Sequence, residues 1–568
     1  LSADPLEPVD LAGSAADALD GGLAGLRAAY QRGLDPVAVV DEVLARIDRS
    51  GDPAVWIDVE PADALRATAK ALSPVDRDRL PLWGVPFAVK DNIDVAGRTT
   101  TAGLPGLARR AEHSATVVLR LLAAGALYVG KTNLDQLATG LVGTRSPYGV
   151  PRNPFDAGLI PGGSSSGSAV AVALGEVAFA LGTDTAGSGR VPAAMCGVVG
   201  LKGAPGSRPV DGVVPASPSI DCVSTFSRTV ADGLVVESVL ASAPWPVAAG
   251  PFTVAVADAA HEAGTELEGL GHHLVPLDLA PFHEAGDLLY GGPWLADRTA
   301  ALHDVLAAGP AGLVDVVATV VAGGEAYRGT EVFAAQRRLG EIRDELARWW
   351  ATVDAVVVPT VPWLATLAEV AADPVGANAR LGRNTTFANL LGLTAIAVPA
   401  PVGAGGVTVL APPSSAGAVA ALAAELHGER MPPGPTAAGD RVHLAVVGAH
   451  LRGQPLNAQL TDQGAELVAT TTTSPRYRLY RLEGGPPLRP GLERVGSGGR
   501  SIDVEVWAVS PDGLGRVLAA VAPPLGIGSV ELADGRWVKG FICETHGLAD
   551  ATDITTFAGW RRYLASLG

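Results

Sequence analysis

The sequence predicts an α/β layered domain followed by a smaller, β-rich α+β domain. Three observations carry this expectation. Strand-like and helix-like stretches alternate to about residue 420. The break Gly428-Glu429-Arg430-Met431-Pro432-Pro433-Gly434-Pro435 then has the chemistry of a linker. Beyond it come short β-rich pieces separated by turn signals. The expected division is residues 1–428, a linker over 429–440 and a second domain over 441–568.

Residues 23–47 read as helix, because Leu, Val and Ile recur every three or four positions. Residues 82–89 read as a strand that feeds directly into Lys90-Asp91-Asn92, residues 115–124 as a helix and 126–129 as a strand. The apolar run over 169–181 is broken by Glu176 and reads as a core helix and strand. In the second domain, strands are expected over 442–447, 477–482, 502–509 and 536–542. Turn signals such as Gly484-Gly485-Pro486-Pro487 and Ser497-Gly498-Gly499 divide them. No internal repeat is visible.

At 568 residues the chain exceeds one ordinary core. With 18% charged and 48% apolar residues it is globular in composition. A net charge of -17 argues against nucleic acid as an obligate partner. A small anionic substrate stays open, because the local field of a site can oppose the global one. Cys196, Cys222 and Cys543 lie far apart without metal-ligand spacing, which suits a reducing compartment. The opening Leu1-Ser2-Ala3-Asp4-Pro5 has neither a basic nor an apolar signal region. No stretch reaches about 18 uninterrupted apolar residues. A cytoplasmic protein without a membrane partner is expected.

Two clusters of small residues carry the chemistry: Gly162-Gly163-Ser164-Ser165-Ser166-Gly167-Ser168, and Gly182-Thr183-Asp184-Thr185-Ala186-Gly187-Ser188-Gly189-Arg190. A serine hydroxyl is a poor nucleophile until a base takes its proton. No histidine lies near either cluster; the nearest in sequence is His113. Lys90 is the available substitute, and it works only when neutral, so burial must lower its pKa. The alternative is a surface lysine paired with Asp91 or Asp94. The first cluster is either a flexible linker or the start of a buried helix, and the apolar residues that follow favour the helix. The second lets backbone N–H groups converge on one point, as an oxyanion requires, or is a tight turn capped by Asp184.

Gly125-Ala126-Leu127-Tyr128-Val129-Gly130-Lys131-Thr132 fits the phosphate-loop pattern, but its middle is strand-forming and a helix precedes it, so nucleotide binding is not expected. His450, in Val446-Val447-Gly448-Ala449-His450, reads as either a hydrogen-bonded structural residue or a functional one.

Lys90, the Gly-Gly-Ser-Ser run and the Gly-Thr-Asp-x-x-Gly-Ser-x-Arg run resemble the amidase signature family. The resemblance implies an α/β/α layered fold with a large mixed sheet. It also implies a triad of Lys90 as base, Ser164 as relay after a cis peptide bond, and Ser188 as nucleophile. N–H groups of Thr185, Ala186, Gly187 and Ser188 would form the oxyanion hole, with Asp184 and Arg190 supporting the loop. The strings over 130–136, 138–149, 181–194 and 221–224 are similar to the allophanate hydrolase subgroup. That implies cleavage of allophanate, a small anion, to ammonia and N-carboxycarbamate, as in urea or triazine breakdown. Tyr290 and Arg298 match the subgroup residues that hold the substrate carboxylate, for which a guanidinium fork is suited. Without the resemblance, the alternative for Arg298 is an ion pair with Asp297 or with a neighbouring helix. No metal or organic cofactor is implied, and a homodimer is expected.

One departure stands out: Gly203-Ala204-Pro205-Gly206 follows Gly200-Leu201-Lys202 where the family has Pro-Thr. The second domain resembles the γ-glutamyl cyclotransferase-like fold but lacks that fold's catalytic glutamate in Val521-Ala522-Pro523-Pro524-Leu525-Gly526-Ile527-Gly528. In the subgroup this domain is implicated in decarboxylation with a histidine, for which His450 is the candidate. The alternatives are a domain that only shapes assembly, a broad-specificity or amidotransferase-like amidase, or a non-catalytic assembly protein, against which the intact triad argues.

Overall fold

The computed structural model describes residues 14–241, 245–289, 291–399, 405–430, 442–461, 465–485, 487–509 and 511–567, with the backbone alone at 511 and 512. It divides into two compact units, Leu1–Gly434 and Pro435–Gly568.

The first unit is built on an eleven-stranded mixed sheet. Its strands run in the order Trp56–Val59, Leu127–Thr132, Pro86–Lys90, Phe179–Asp184, Cys222–Ser227, Val199–Lys202, Thr394–Val398, Val407–Ala411, Ala355–Pro359, Thr253–Val256, His273–Pro276. Pro86–Lys90 lies parallel to both neighbours, with Phe87 opposite Phe179 and Val89 opposite Leu181. Both strands are buried throughout, as parallel strands covered on two faces must be. The Phe87 and Phe179 rings stack at 5.3 Å between centroids. This register delivers Lys90 and Thr183 together at the carboxyl ends of adjacent strands, where open α/β sheets place their sites.

The helix expected over 23–47 is two, Gly22–Gln31 and Pro36–Ser50. Gly33 at φ +102° and Pro36 break it, with Asp35 capping the second helix through Val37 N–H at 2.9 Å. The strand expected over 82–89 begins only at Pro86, because residues before it form turns closed by Val85 N–H to Leu82 O. The run over 169–181 resolves into the buried helix Ser166–Ala173 and the strand Phe179–Asp184. The expected linker lies largely over 431–441, outside the described residues. Glu429, expected to open it, belongs to the first unit: its carboxylate accepts from Val230 N–H at 2.6 Å and Ala231 N–H at 2.9 Å, the first turn of the helix Val230–Ala241.

The phosphate-loop pattern is no loop. Gly130, Lys131 and Thr132 lie inside the strand Leu127–Thr132, and Lys131 is wholly buried, its Nζ 3.1 Å from Asp91 Oδ1 and 2.6 Å from the Ile93 carbonyl.

The second unit has a five-stranded sheet in the order Glu466–Thr472, Asp503–Val509, Val442–Val446, Trp537–Cys543, Leu525–Glu531. A three-stranded sheet of Pro490–Arg494, Tyr477–Arg481 and Thr552–Asp553 accompanies it. Leu444, Tyr477, Val504 and Trp560 lie in its core. No helix among the described residues is long and apolar enough to cross a membrane.

Removing one partner of a buried ion pair strands the other charge. Lys131→Ala should therefore destabilise the first unit by about 3–5 kcal/mol. Denaturant unfolding monitors this, and addition of a nucleotide with magnesium should leave the wild-type transition in place.

Candidate active site

Lys90 ends its strand with no solvent exposure. Its Nζ lies 2.7 Å from Ser164 Oγ and 2.8 Å from Thr183 Oγ1. Burial pulls the amine down to about 7, against the raising influence of Asp135, Asp184 and Asp221. The surface-lysine alternative does not apply, since Asp91 meets Lys131 and Asp94 accepts from Arg109 at 2.8 Å.

Residues 162–168 are buried without exception, which removes the linker alternative. The Gly163–Ser164 peptide is cis. Gly163 donates its N–H to Leu141 O at 2.8 Å, and Ser164 O accepts from Asp135 N–H at 2.9 Å. A Cβ at 163 would stand 2.1 Å from Asp135 Oδ2, so only glycine fits this close approach. Asp135 in turn accepts from the N–H groups of Val142 (3.1 Å), Gly143 (2.9 Å) and Arg145 (2.9 Å). Asp135 thus holds Ser164 through its N–H and the turn beside it through its carboxylate.

The loop after Phe179–Asp184 is folded around Asp184. Burial opposes its charge, but Arg190 holds its pKa down through two bonds of 3.0 Å. The same carboxylate accepts from Gly187 N–H at 2.9 Å and Gly189 N–H at 3.1 Å. Arg190 and two N–H groups of the loop thus converge on the Asp184 carboxylate. The Gly187 N–H, however, is spent inside it, which corrects its expected place in the oxyanion hole. Among the described residues, the N–H groups of Thr185, Ala186 and Ser188 are engaged by no such acceptor. Thr185 is set by its hydroxyl, which donates to Asp221 Oδ1 at 2.5 Å.

The Ser188 hydroxyl donates to Gly140 O at 3.4 Å, and no hydrogen bond joins it to Ser164 among the described residues. A proton path from Ser188 to Lys90 therefore requires that hydroxyl to turn.

Arg298, on the helix Leu295–Ala307, is buried and donates from Nη1 to Thr139 Oγ1 at 2.9 Å. Asp297 is instead taken by Ser217 Oγ at 2.6 Å and Ser219 Oγ at 2.8 Å. Tyr290 lies outside the described residues. The departure loop over 203–206 is followed by Arg208, whose guanidinium pairs with the buried Glu237 at 2.5 Å and stacks over Trp245. Sequence reasoning gave no role to Asp135, Thr139, Thr183 or Asp221. All four stood within the strings over 130–136, 138–149, 181–194 and 221–224, yet residue type alone did not mark them, and the Thr139 contact reaches a residue 159 positions away.

In the second unit, His450 Nε2 lies 3.0 Å from Gln459 Oε1, and its ring stacks on Phe541 at 4.7 Å. Burial lowers its pKa. It lines a small cavity of about 30 Å³ with Arg489, Pro490 and Leu525.

A base near pKa 7 must lose its proton before it can accept one. Phosphonylation of Ser188 by a fluorophosphonate probe should thus accelerate as pH rises through about 7 and level off above it. Lys90→Ala should slow labelling by at least about 100-fold. A flat pH profile in the wild type would contradict this arrangement.

The sequence profile of the family described as Amidase matches residues 38–252 and 248–419, and that described as Allophanate hydrolase C-terminal domain matches 442–565. A urea amidolyase from Lachancea kluyveri is 39% identical over 572 residues, covering 90% of this chain and 31% of that protein. A mandelamide hydrolase from Pseudomonas putida is 33% identical, covering 64% of this chain and 81% of the relative. This chain spans under a third of the length of the urea amidolyases it matches. The selenomethionine-substituted allophanate hydrolase structure from Kluyveromyces lactis superposes with a TM-score of 0.70 at 35% identity, covering 98% of this chain and 100% of that one. From the mixed sheet, the buried lysine and serines at its carboxyl edge, and a profile match over most of the first unit, it follows that the chain belongs to the amidase family.

Proposed function

We propose that this chain hydrolyses allophanate to ammonia and N-carboxycarbamate by a Ser188–Ser164–Lys90 mechanism without metal or organic cofactor. The observation that carries this reading is the placement of a buried guanidinium, Arg298, against Thr139, next in sequence to the Gly140 carbonyl that holds Ser188. An anion-binding group so close to a nucleophile suits a substrate whose carboxylate lies a few bonds from the scissile amide. The similarity to the K. lactis allophanate hydrolase over the whole chain supports the same substrate.

Substrate carboxylate binds Arg298, with Tyr290 as the second holder. The Ser188 hydroxyl turns from Gly140 towards Ser164 and attacks the terminal amide carbon, while its proton passes through Ser164 to Lys90. N–H groups of Thr185, Ala186 and Ser188 receive the oxyanion. The C–N bond breaks, and the leaving nitrogen takes the proton back from Lys90 through Ser164 to depart as ammonia. Water attacks the acyl-enzyme along the same path, releasing N-carboxycarbamate and restoring Ser188. That product loses carbon dioxide and then yields the second ammonia, a step assigned to the second unit with His450 as its imidazole. The same reading takes the enzyme as a cytoplasmic homodimer; three free, buried cysteines suit a reducing compartment.

Assay of the purified protein on allophanate, acetamide and malonamide tests the substrate: allophanate should have the highest kcat/KM. Ser188→Ala should release no ammonia while keeping the wild-type fold. Arg298→Lys should raise KM for allophanate about tenfold or more, because a point charge cannot reproduce a fork; equal losses on charged and neutral amides would make Arg298 structural.

His450→Ala should leave the first ammonia at the wild-type rate and delay the second. Time courses in which both ammonias keep their original rates would reduce the second unit to a role in assembly or stability.

A further inference from the structure

Between Asp135 and Leu141 the chain does something that composition does not explain. Leu137 and Ala138 are consecutive non-glycine residues at φ 53° and 51°, a left-handed conformation that side chains disfavour. Contacts on every side hold them there. Leu137 N–H donates to Ala102 O at 2.8 Å. Gln136 Nε2 donates to Gly103 O and Gly312 O, both at 2.9 Å, while its Oε1 accepts from Val314 N–H at 2.8 Å. Thr139 O accepts from Arg145 Nη1 at 2.9 Å, and Leu141 N–H donates to Asn378 Oδ1 at 2.7 Å.

This turn presents two acceptors from adjacent residues. Thr139 Oγ1 accepts from Arg298 Nη1, and Gly140 O accepts from the Ser188 hydroxyl. The Thr139 hydroxyl proton is committed to Leu137 O at 3.1 Å, which leaves its oxygen lone pair directed outward as an acceptor. Thr139 has no solvent exposure, so no water can take over its part.

We propose that Thr139 is a specificity-determining positioning residue. Its hydroxyl aims Arg298 at the anionic end of the substrate, and the turn fixes that guanidinium at a set offset from Ser188. The inference rests on the allophanate reading and deepens it: the turn acts as a ruler that selects amides carrying a carboxylate at one spacing from the scissile carbon. Longer amido acids place their charge beyond Arg298 and are rejected.

Kinetics of Thr139→Val and Thr139→Ser in the full chain test this, with malonamate, the methylene isostere of allophanate, as competitive inhibitor and malonamide as its neutral counterpart. Thr139→Val should raise KM for allophanate and the inhibition constant of malonamate about tenfold, with kcat falling less than about threefold and the malonamide constant moving far less. Thr139→Ser, which keeps the hydroxyl, should restore all values to within about threefold. In the Arg298→Lys background Thr139→Val should add little, since both act through one contact. Parallel losses on charged and neutral ligands, failure of serine to rescue, or full additivity with Arg298→Lys would overturn the inference. If Arg298→Lys by itself leaves the allophanate KM and the malonamate constant unchanged, the allophanate reading falls and the inference with it. Thermal melts of each variant separate these results from misfolding.

Discussion

A lysine amine must sit beside a serine hydroxyl in a space that water cannot reach, and much of the first unit follows from that demand. Desolvation of Lys90 makes its charged form costly, and the cost is what makes the amine a base near neutrality. The apolar register of Pro86–Lys90 against Phe179–Asp184 supplies the desolvation, both strands being buried throughout. The same strands end together, so Lys90 and the loop that follows Asp184 leave the sheet at one edge.

Three buried carboxylates face this amine, and any of them left unengaged would return its charge. Each is occupied elsewhere. Asp135 is wrapped by three backbone N–H groups of its own turn. Asp184 is shared between Arg190 and two glycine N–H groups. Asp221 accepts from Ala216 and Ser217 N–H and from Thr185 Oγ1. Their engagements shape the loops and at the same time blunt their pull on Lys90. Backbone architecture and acid–base tuning are thus one set of hydrogen bonds; a side chain at Gly163 would collide with Asp135, while side chains at Gly167, Gly182 and Gly187 would collide with the Asn133 backbone, Phe226 and Thr385.

The parts of the site that were legible in sequence are those where a residue type is itself the signal. Lys90 stood at the end of an apolar strand, and Ser164 and Ser188 stood in runs of small residues whose linker and turn readings the flanking apolar residues and the family resemblance outweighed. The error at Gly187 has a physical origin: a glycine-rich loop advertises many N–H groups, but which of them point inward depends on where the capping carboxylate turns, and Asp184 turns onto Gly187. Thr139 and Gly140 lay within the string over 138–149, but their contacts were illegible because leucine and alanine, not glycine, stand at the positive-φ positions of the turn that presents them. The second-unit strands Val442–Val446 and Asp503–Val509 were visible from their apolar content, whereas Glu466–Thr472 was not, because its polar threonines resemble a loop.

The pair of Lys131 with Asp91 has a consequence that reaches beyond its own strand. Asp91 follows Lys90 directly in the chain, and its carboxylate is held by Lys131 of the neighbouring strand at 3.1 Å. Lys131 thus anchors the residue that comes directly after the buried amine. Substitution at position 131 would therefore disturb the strand end that carries Lys90 while leaving Lys90, Ser164 and Ser188 themselves unchanged, an effect that comparison of those three residues alone would miss.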